Sequence, residues 1–227
     1  MQAHTATAAQ VSKFPAAAFG LRTPSGRVPA GSQMQMILAK GEELFAEGDE
    51  ADYFYQVVSG AIRTYKLLSD GRRQIDAFHL PGDIFGLEAG SEHRFSAEAV
   101  RDVQVIAYRR SRLSALIEED ASFRDRIMTA TLRSLQRAQD HMLLLGRKTA
   151  QEKLATFLLD MAQRLSNDDE HFDLPMQRSD IADHLGLTIE TVSRTLTQFA
   201  RSGLIRLLPA SRSIGLCNKM ALRNLDA

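Results

Sequence analysis

The chain has 227 residues, 44% of them apolar, with 28 Lys/Arg balanced by 28 Asp/Glu, enough for a large domain or a medium one joined to a small one. Zero net charge withholds the basic signature of a chain that grips nucleic acid along its whole surface, although local patches can hide inside a neutral sum. The single cysteine, Cys217, excludes an intrachain disulfide and a four-cysteine zinc or iron–sulfur site; no secretory pattern opens the chain and no apolar run reaches the roughly 20 residues of a membrane span, so a cytoplasmic protein with no membrane partner is expected.

Residues 1–33 are rich in Ala, Thr, Ser, Pro and Gly, which predicts a loose N-terminal arm with Phe14 or Phe19 as docking points. From 34 to 120 the punctuation becomes regular. Turn signals end at Gly48, Gly60, Gly71 and Gly82, spaced 12, 11 and 11 residues apart. Between them lie "YFYQVV", "AIRTYKLL", "RQIDAFHL" and, further on, "VQVIAY". Short β-branched and aromatic segments at this spacing predict an antiparallel β-roll of the cupin-like jelly-roll kind. Asp70-Gly71 is the best tight hairpin turn in the chain.

The period then changes. "SRLSALIEED" predicts a short helix, and 121–145 a long one. Met128, Leu132, Leu135 and Met142 form an apolar stripe near heptad spacing, widened by Ile127, Ala138 and Leu145. A stripe this broad must be covered. Two coverings fit: the roll of the same chain, or the same helix of a second copy in a two-fold homodimer. The second makes 121–145 a dimerisation helix with Ile127, Met128, Leu132, Leu135, Ala138 and Met142 on the seam.

Residues 146–227 predict a small helical domain with a β-wing. Gly146 supplies a hinge, and a helix follows with Ala150, Leu154, Phe157, Leu158, Met161 and Leu165 inward. "HFDLP" is a short extended piece, "LIRLL" and "SIGLC" are wing strands, and "NKMALRNL" closes the domain as a helix. Between them stands "SDIADHLGLTIETVSRTLTQFARSGLI". Ser179 is placed to cap one helix, Gly186 to make the turn, and Thr188 to cap the next, whose apolar face is Val192, Leu196 and Phe199. Short helix, glycine turn, longer helix is the helix-turn-helix pattern. The whole chain is therefore expected to be α+β: N-terminal roll, long dimerisation helix, C-terminal winged helix-turn-helix.

Glu190, Ser193, Arg194 and Thr197 fall three or four residues apart, on the face opposite the apolar one. In a major groove a glutamate accepts from cytosine N4, an arginine donates twice to guanine O6 and N7, and a serine adapts. A glutamate beside DNA is costly unless it meets a base-edge donor, so its presence next to Arg194 favours base reading over plain phosphate gripping. On its own, Glu190–Arg194 would be an ordinary helix-surface salt bridge. Gln177, Arg178, Ser179 and Thr188 are placed for backbone contact or support, with Thr191 and Thr197 beside them. Between Thr188 and Arg206 three arginines (Arg194, Arg201, Arg206) face one glutamate, Glu190; Arg201, Arg206 and Arg212 are candidate distant phosphate contacts. No GxSxG, HExxH or glycine-rich phosphate loop points to an enzyme.

"RSDIADHLGLTIETVSRTLTQFARSGLI" and the glycine-punctuated roll "GEELFAEGDEADYFYQVVSGAIRTYKLLSDGRRQIDAFHLPGDIFG" resemble the CRP/FNR family of bacterial transcription regulators, and within it the FixK group. The resemblance covers nearly all of the chain beyond residue 33. It implies a sensory-type roll, a helix that pairs two subunits, and a second winged-domain helix in the major groove. Glu190, Ser193 and Arg194 match its Glu-x-x-Ser-Arg signature, which implies TTGAT-type half-sites in an inverted repeat. It also implies activation through RNA polymerase holoenzyme, with the loop from Asp70 to Arg73 a candidate contact, and control of microaerobic or anaerobic respiration or nitrogen-metabolism genes. The departures exclude FNR's cysteine-held cluster. The cyclic-nucleotide pattern of the catabolite-activator branch is broken in "FGLEAGSEHRFSAEAV", where Leu87 separates Gly86 from Glu88 and Phe95 separates Arg94 from Ser96. Haem on a histidine such as His79 or His93 is the lesser reading, because a lone histidine is more often on the surface or a satisfied core residue. No cofactor and no metal are therefore expected; the alternative is the same regulator gated by a small molecule in the roll. Cys217, on the apolar register of "SIGLC", is expected to be buried and structural, with a redox switch as the alternative.

Overall fold

A computed structural model describes residues 33–165, 171–208 and 213–226; Phe14 and Phe19, expected as docking points of an N-terminal arm, and Arg212, expected as a distant phosphate contact, lie outside the described residues. Six strands build the roll: β1 (Gln33–Leu38), β2 (Glu43–Phe45), β3 (Tyr53–Leu67), β4 (Arg73–His79), β5 (Ile84–Phe85) and β6 (Ser96–Arg109). All pairings are antiparallel, in the order β1-β6-β3-β4, with β2 on β6 and β5 on β3. Inward residues such as Leu38, Val57, Ile62, Ala97 and Val105 alternate with outward ones to fill the interior.

The signal at Gly60 is not a turn between two strands. "YFYQVV" and "AIRTYKLL" are halves of one strand, β3, whose register against β6 shifts on both sides of Gly60. Gly60 has φ +83°, and a Cβ there would lie 2.3 Å from the Asp102 carbonyl oxygen and 2.7 Å from Val103 Cα. Only glycine permits this bulge and close approach. The Asp70-Gly71 turn does form. The Leu68 N–H donates to Arg72 O, the Gly71 N–H donates to Leu68 O, and Gly71 takes φ +85°. Five residues thus connect β3 to β4, and the Leu68–Arg72 bond closes a three-residue turn, 69–71, whose last residue is left-handed.

A 3-10 turn (Arg110–Arg112) and α1 (Leu113–Glu119) lead to α2 (Ala121–Arg147), capped by Asp120, whose side chain accepts from the Ser122 and Phe123 N–H groups. Phe123 and Ile127 of α2 pack on Phe54, Tyr108 and Leu116. The helix runs on through Gly146, so the expected hinge moves: the backbone turns extended at Lys148, φ −85° and ψ 145°, and α3 (Ala150–Leu165) follows. Then come β7 (His171–Asp173), α4 (Arg178–Leu185), α5 (Ile189–Arg201), β8 (Ile205–Leu207), β9 (Ser213–Leu216) and α6 (Lys219–Asp226). The three small strands form an antiparallel wing in the order β7-β9-β8. Leu154, Leu158, Ile181, Leu185, Val192 and Leu222 make its core.

The two halves meet along β4, the edge of the roll. Ile75 and Phe78 of β4 and the following Leu80 are buried in the same cluster as α3 and α4, which covers an edge that would otherwise invite a foreign strand. No helix among the described residues is long and apolar enough to cross a membrane.

Candidate nucleic-acid interface

α4 ends at Gly186, left-handed at φ +61°, and the Leu187 N–H returns to Ala182 O. Thr188 then caps α5: its hydroxyl accepts from the Thr191 N–H at 3.2 Å. α4 is capped differently from expectation. Its N-cap is Gln177, whose N–H donates to the Asp180 carboxylate at 3.0 Å, and Ser179 lies inside the first turn. The reason is Asp180: a carboxylate at the third helical position reaches back to the residue before the helix.

α5 is sharply two-faced. Val192, Thr195, Leu196 and Phe199 are buried, while Glu190, Arg194, Thr197, Gln198 and Arg201 are exposed and Ser193 is half-buried. Ser193, Arg194, Thr197, Gln198, Arg201 and Ser202 line a shallow groove of about 500 Å³. Arg178 reaches across from α4 and donates to Ser193 Oγ at 3.2 Å. Thr197 donates its hydroxyl to Ser193 O at 2.9 Å, which leaves it free only as an acceptor. Among the described residues no ion pair joins Glu190 to Arg194, so both charges point outward with their hydrogen-bonding capacity open. Gln198, four residues beyond Arg194, belongs to this surface and was missed; helical spacing alone would have found it.

Three other expectations are corrected. Ile127 is 8% exposed, packed on its own roll, so it does not belong to the open stripe. Cys217 is exposed; β9 ends at Leu216, the last buried residue of the wing, and the next residue turns toward α6. Arg73, assigned to the exposed loop after Asp70, is instead ion-paired to Asp180 and Asp183 of α4. Asp70 and Arg72 pair with each other at the tip of the loop. Met128, Leu132, Leu135, Ala138 and Met142 are exposed in the single chain.

The roll interior is occupied by stacked rings. His93 lies on Phe45 with centroids 3.6 Å apart, Tyr55 stacks on Phe45 and on Phe85, each at 5.5 Å, and His79 lies 4.4 Å from Phe85. Burial drives the His79 pKa down to about 3, against the pull of Asp83, so its imidazole is neutral and shares a hydrogen bond with Thr64 Oγ1 at 3.0 Å. The loop that carries Gly86–Ser96 is tied to the end of β6: the Arg110 guanidinium donates to the loop carbonyls of Glu88 and Gly90, and also to that of Ala51 before β3. No group of three metal-binding side chains occurs among the described residues.

Two family models match, a cyclic nucleotide-binding domain over residues 35–120 and a Crp-like helix-turn-helix domain over 152–225. The nitrogen fixation regulation protein FixK of Azorhizobium caulinodans is 48% identical over 195 residues, which are 84% of this chain and 78% of that protein. FixK of Rhizobium meliloti is 43% identical over 196 residues, 86% of this chain and 89% of that protein. This chain belongs to the CRP/FNR family of transcription regulators and is FixK-like. Its fold agrees with the solved structure of FixK2 from Bradyrhizobium japonicum, with a TM-score of 0.80 and 50% identity over 86% of this chain and 98% of that one. As a CRP/FNR-family regulator it binds DNA, and α5 stands where the recognition helix of a helix-turn-helix stands.

Proposed function

We propose that this FixK-like regulator acts as a homodimeric activator that reads a TTGAT-type inverted repeat through Glu190, Ser193 and Arg194, and that it controls microaerobic or anaerobic respiration or nitrogen-metabolism genes. The observation that carries the reading is the polar face of α5. A helix held by four buried side chains presents an unpaired glutamate and arginine to solvent. The helix N-terminus and Arg178 lie beside them, ready for phosphate.

Two copies are required because a single five-base half-site gives too little discrimination in a genome. The exposed stripe of α2 supplies the seam, minus Ile127. Met128, Leu132, Leu135 and Met142 are each more than half exposed, which is unusual for four large apolar side chains on one helix face. The Asp70–Arg72 tip, flanked by exposed Leu67 and Leu68, is the proposed contact for RNA polymerase. The interlocked rings and the Arg110-tied loop support a roll that works without a bound effector. The pathway rests on the FixK relatives.

The test is fluorescence anisotropy with a labelled TTGAT inverted repeat and a scrambled duplex of equal length at one stated salt concentration. The repeat should bind at least 10³-fold more tightly. Equal affinity for both would reject sequence reading.

A further inference from the structure

We infer that a charged cluster between the roll and α4, centred on Asp180, positions the recognition helix and so sets the half-site spacing that the dimer accepts; this rests on the proposed reading of an inverted repeat by α5. Asp180 is 3% exposed. Its Oδ2 accepts the Gln177 N–H that starts α4, and its Oδ1 accepts from Arg63 at 2.9 Å and from Arg73 at 2.8 Å. Arg63 is fixed in the roll by its second nitrogen on Glu98 of β6. Arg73 also donates through Nε to Asp183 at 2.9 Å. The next residue, His184, continues the attachment. Its Nδ1 donates to Ile75 O at 3.1 Å, and its carbonyl accepts from Gln74 at 3.2 Å and from His141 of α2 at 2.8 Å. The rings of His141 and His184 stack at 4.1 Å.

Residues 180, 183 and 184 lie on one face of α4, so three successive anchors hold that helix along β4. α4 in turn packs on α5 in one core. A second tie at the far end of the same seam runs from Asp83 to Arg137 of α2 and Arg164 of α3. Burying charges between domains is a poor source of stability, since apolar side chains of equal size do as well or better; fixing register is the best-attested use of such groups. Here register is what the function needs. Two recognition helices must stand about 34–36 Å apart to enter successive major grooves. The only covalent link from α2, which carries the proposed dimer seam, to the reading head is the two-residue break Lys148–Thr149. A break this short, extended at Lys148, leaves rotational freedom, and domains joined by a short link move unless something holds them. The Asp180 cluster, together with the apolar seam of Ile75, Phe78 and Leu80, removes that freedom.

The test uses the full chain in a Cys217→Ser background. Spin labels are placed at Asp70→Cys on the roll and Ser202→Cys just past α5, and labelled protein is diluted with unlabelled so that distances within one subunit dominate. Arg73→Ala leaves Arg63 on Asp180, so the α4 cap survives; Arg73→Lys is the conservative partner, and Asp183→Ala, with a side chain 31% exposed, makes the same measurement with less burden on the fold. The unaltered cluster should give one narrow distance distribution, Arg73→Ala and Asp183→Ala broad ones, and Arg73→Lys an intermediate width. In parallel, Arg73→Ala should bind a lone half-site within twofold of the parent, lose at least tenfold on the preferred inverted repeat, and lose the parent's preference between gaps of the best length and gaps one base pair longer or shorter. A distribution that stays narrow in Arg73→Ala and Asp183→Ala, or an unchanged gap preference, would overturn the inference. Equal losses on half-site and repeat would also overturn it, by showing damage to the head itself. A parent protein with no sequence preference would sink base reading by α5, while the distance distributions still decide whether the cluster holds the head.

Discussion

Replacing Leu135 by glutamate tests the seam of α2. Leu135 is 56% exposed in the single chain, among Met128 and Leu132 at 59% and Met142 at 67%. Burying the open half of a leucine side chain stabilises by about 1 kcal/mol. A two-fold seam counts every substitution twice. Leu135→Ala should therefore weaken the dimer by about 2 kcal/mol, roughly 30-fold in Kd. Leu135→Glu adds the desolvation of two carboxylates, an effective several kcal/mol for each ion, and should leave monomers at micromolar concentration. The subunit fold should survive, because the position is open to water before pairing. Sedimentation equilibrium measures the association, and far-UV circular dichroism with a urea melt checks the fold. A Leu135→Glu protein that stays dimeric at low micromolar concentration would refute the seam, and so would Leu135→Ala and Leu135→Glu weakening it equally.

Arg194→Ala should lose about 1–3 kcal/mol of discrimination per half-site at one base position, and Glu190→Ala should widen base preference more than it weakens binding; competition with single-base operator variants measures both, and uniform weakening across all variants would contradict base reading. His79 is neutral in the fold with its pKa at about 3, and protonates near 6.5 when unfolded. The folded chain thus binds fewer protons between those values, and stability should fall with pH through that window, by about 2 kcal/mol from pH 7 to pH 5 for this residue. His184, also lowered to about 3 by burial and by His141 but still in partial contact with solvent, should add less; urea midpoints at pH 7, 6 and 5 measure the slope, and His79→Gln should flatten it. Gly60→Ala should cost about 3 kcal/mol or more, because a positive φ and a clash with the backbone of Asp102 and Val103 both work against any side chain; a loss below about 1 kcal/mol would show that the bulge can relax.

What the sequence made legible follows the range of the interactions. The helix-turn-helix could be read because its determinants are local: Thr188 three residues before Thr191, Gly186 after Leu185, and a buried face at helical spacing. The cap of α4 was misread because serine is the better capping residue in general, and only the reach of Asp180 back to Gln177 decides otherwise. Gly60 looked like a turn because glycine does two jobs that composition does not separate, chain reversal and close approach; the deciding contact lies 42 residues away at Asp102. Gly146 likewise looked like a hinge, yet one glycine costs a 27-residue helix only about 1 kcal/mol. The Asp180 cluster left no trace at all in the pattern, since Arg63 and Asp180 are 117 residues apart and each alone is an ordinary surface charge. Cys217 was placed inside on strand alternation, which holds only while the strand lasts, and β9 stops one residue short of it.

The most direct measurement of base reading is selection from a degenerate duplex library, carried out with the parent protein, Glu190→Ala and Arg194→Ala under the same salt. Reading by α5 predicts an inverted repeat of TTGAT-type half-sites for the parent, and a loss of information confined to one symmetric base position for each variant. An asymmetric or featureless consensus for the parent, or variants that recover the parent's consensus unchanged, would contradict it.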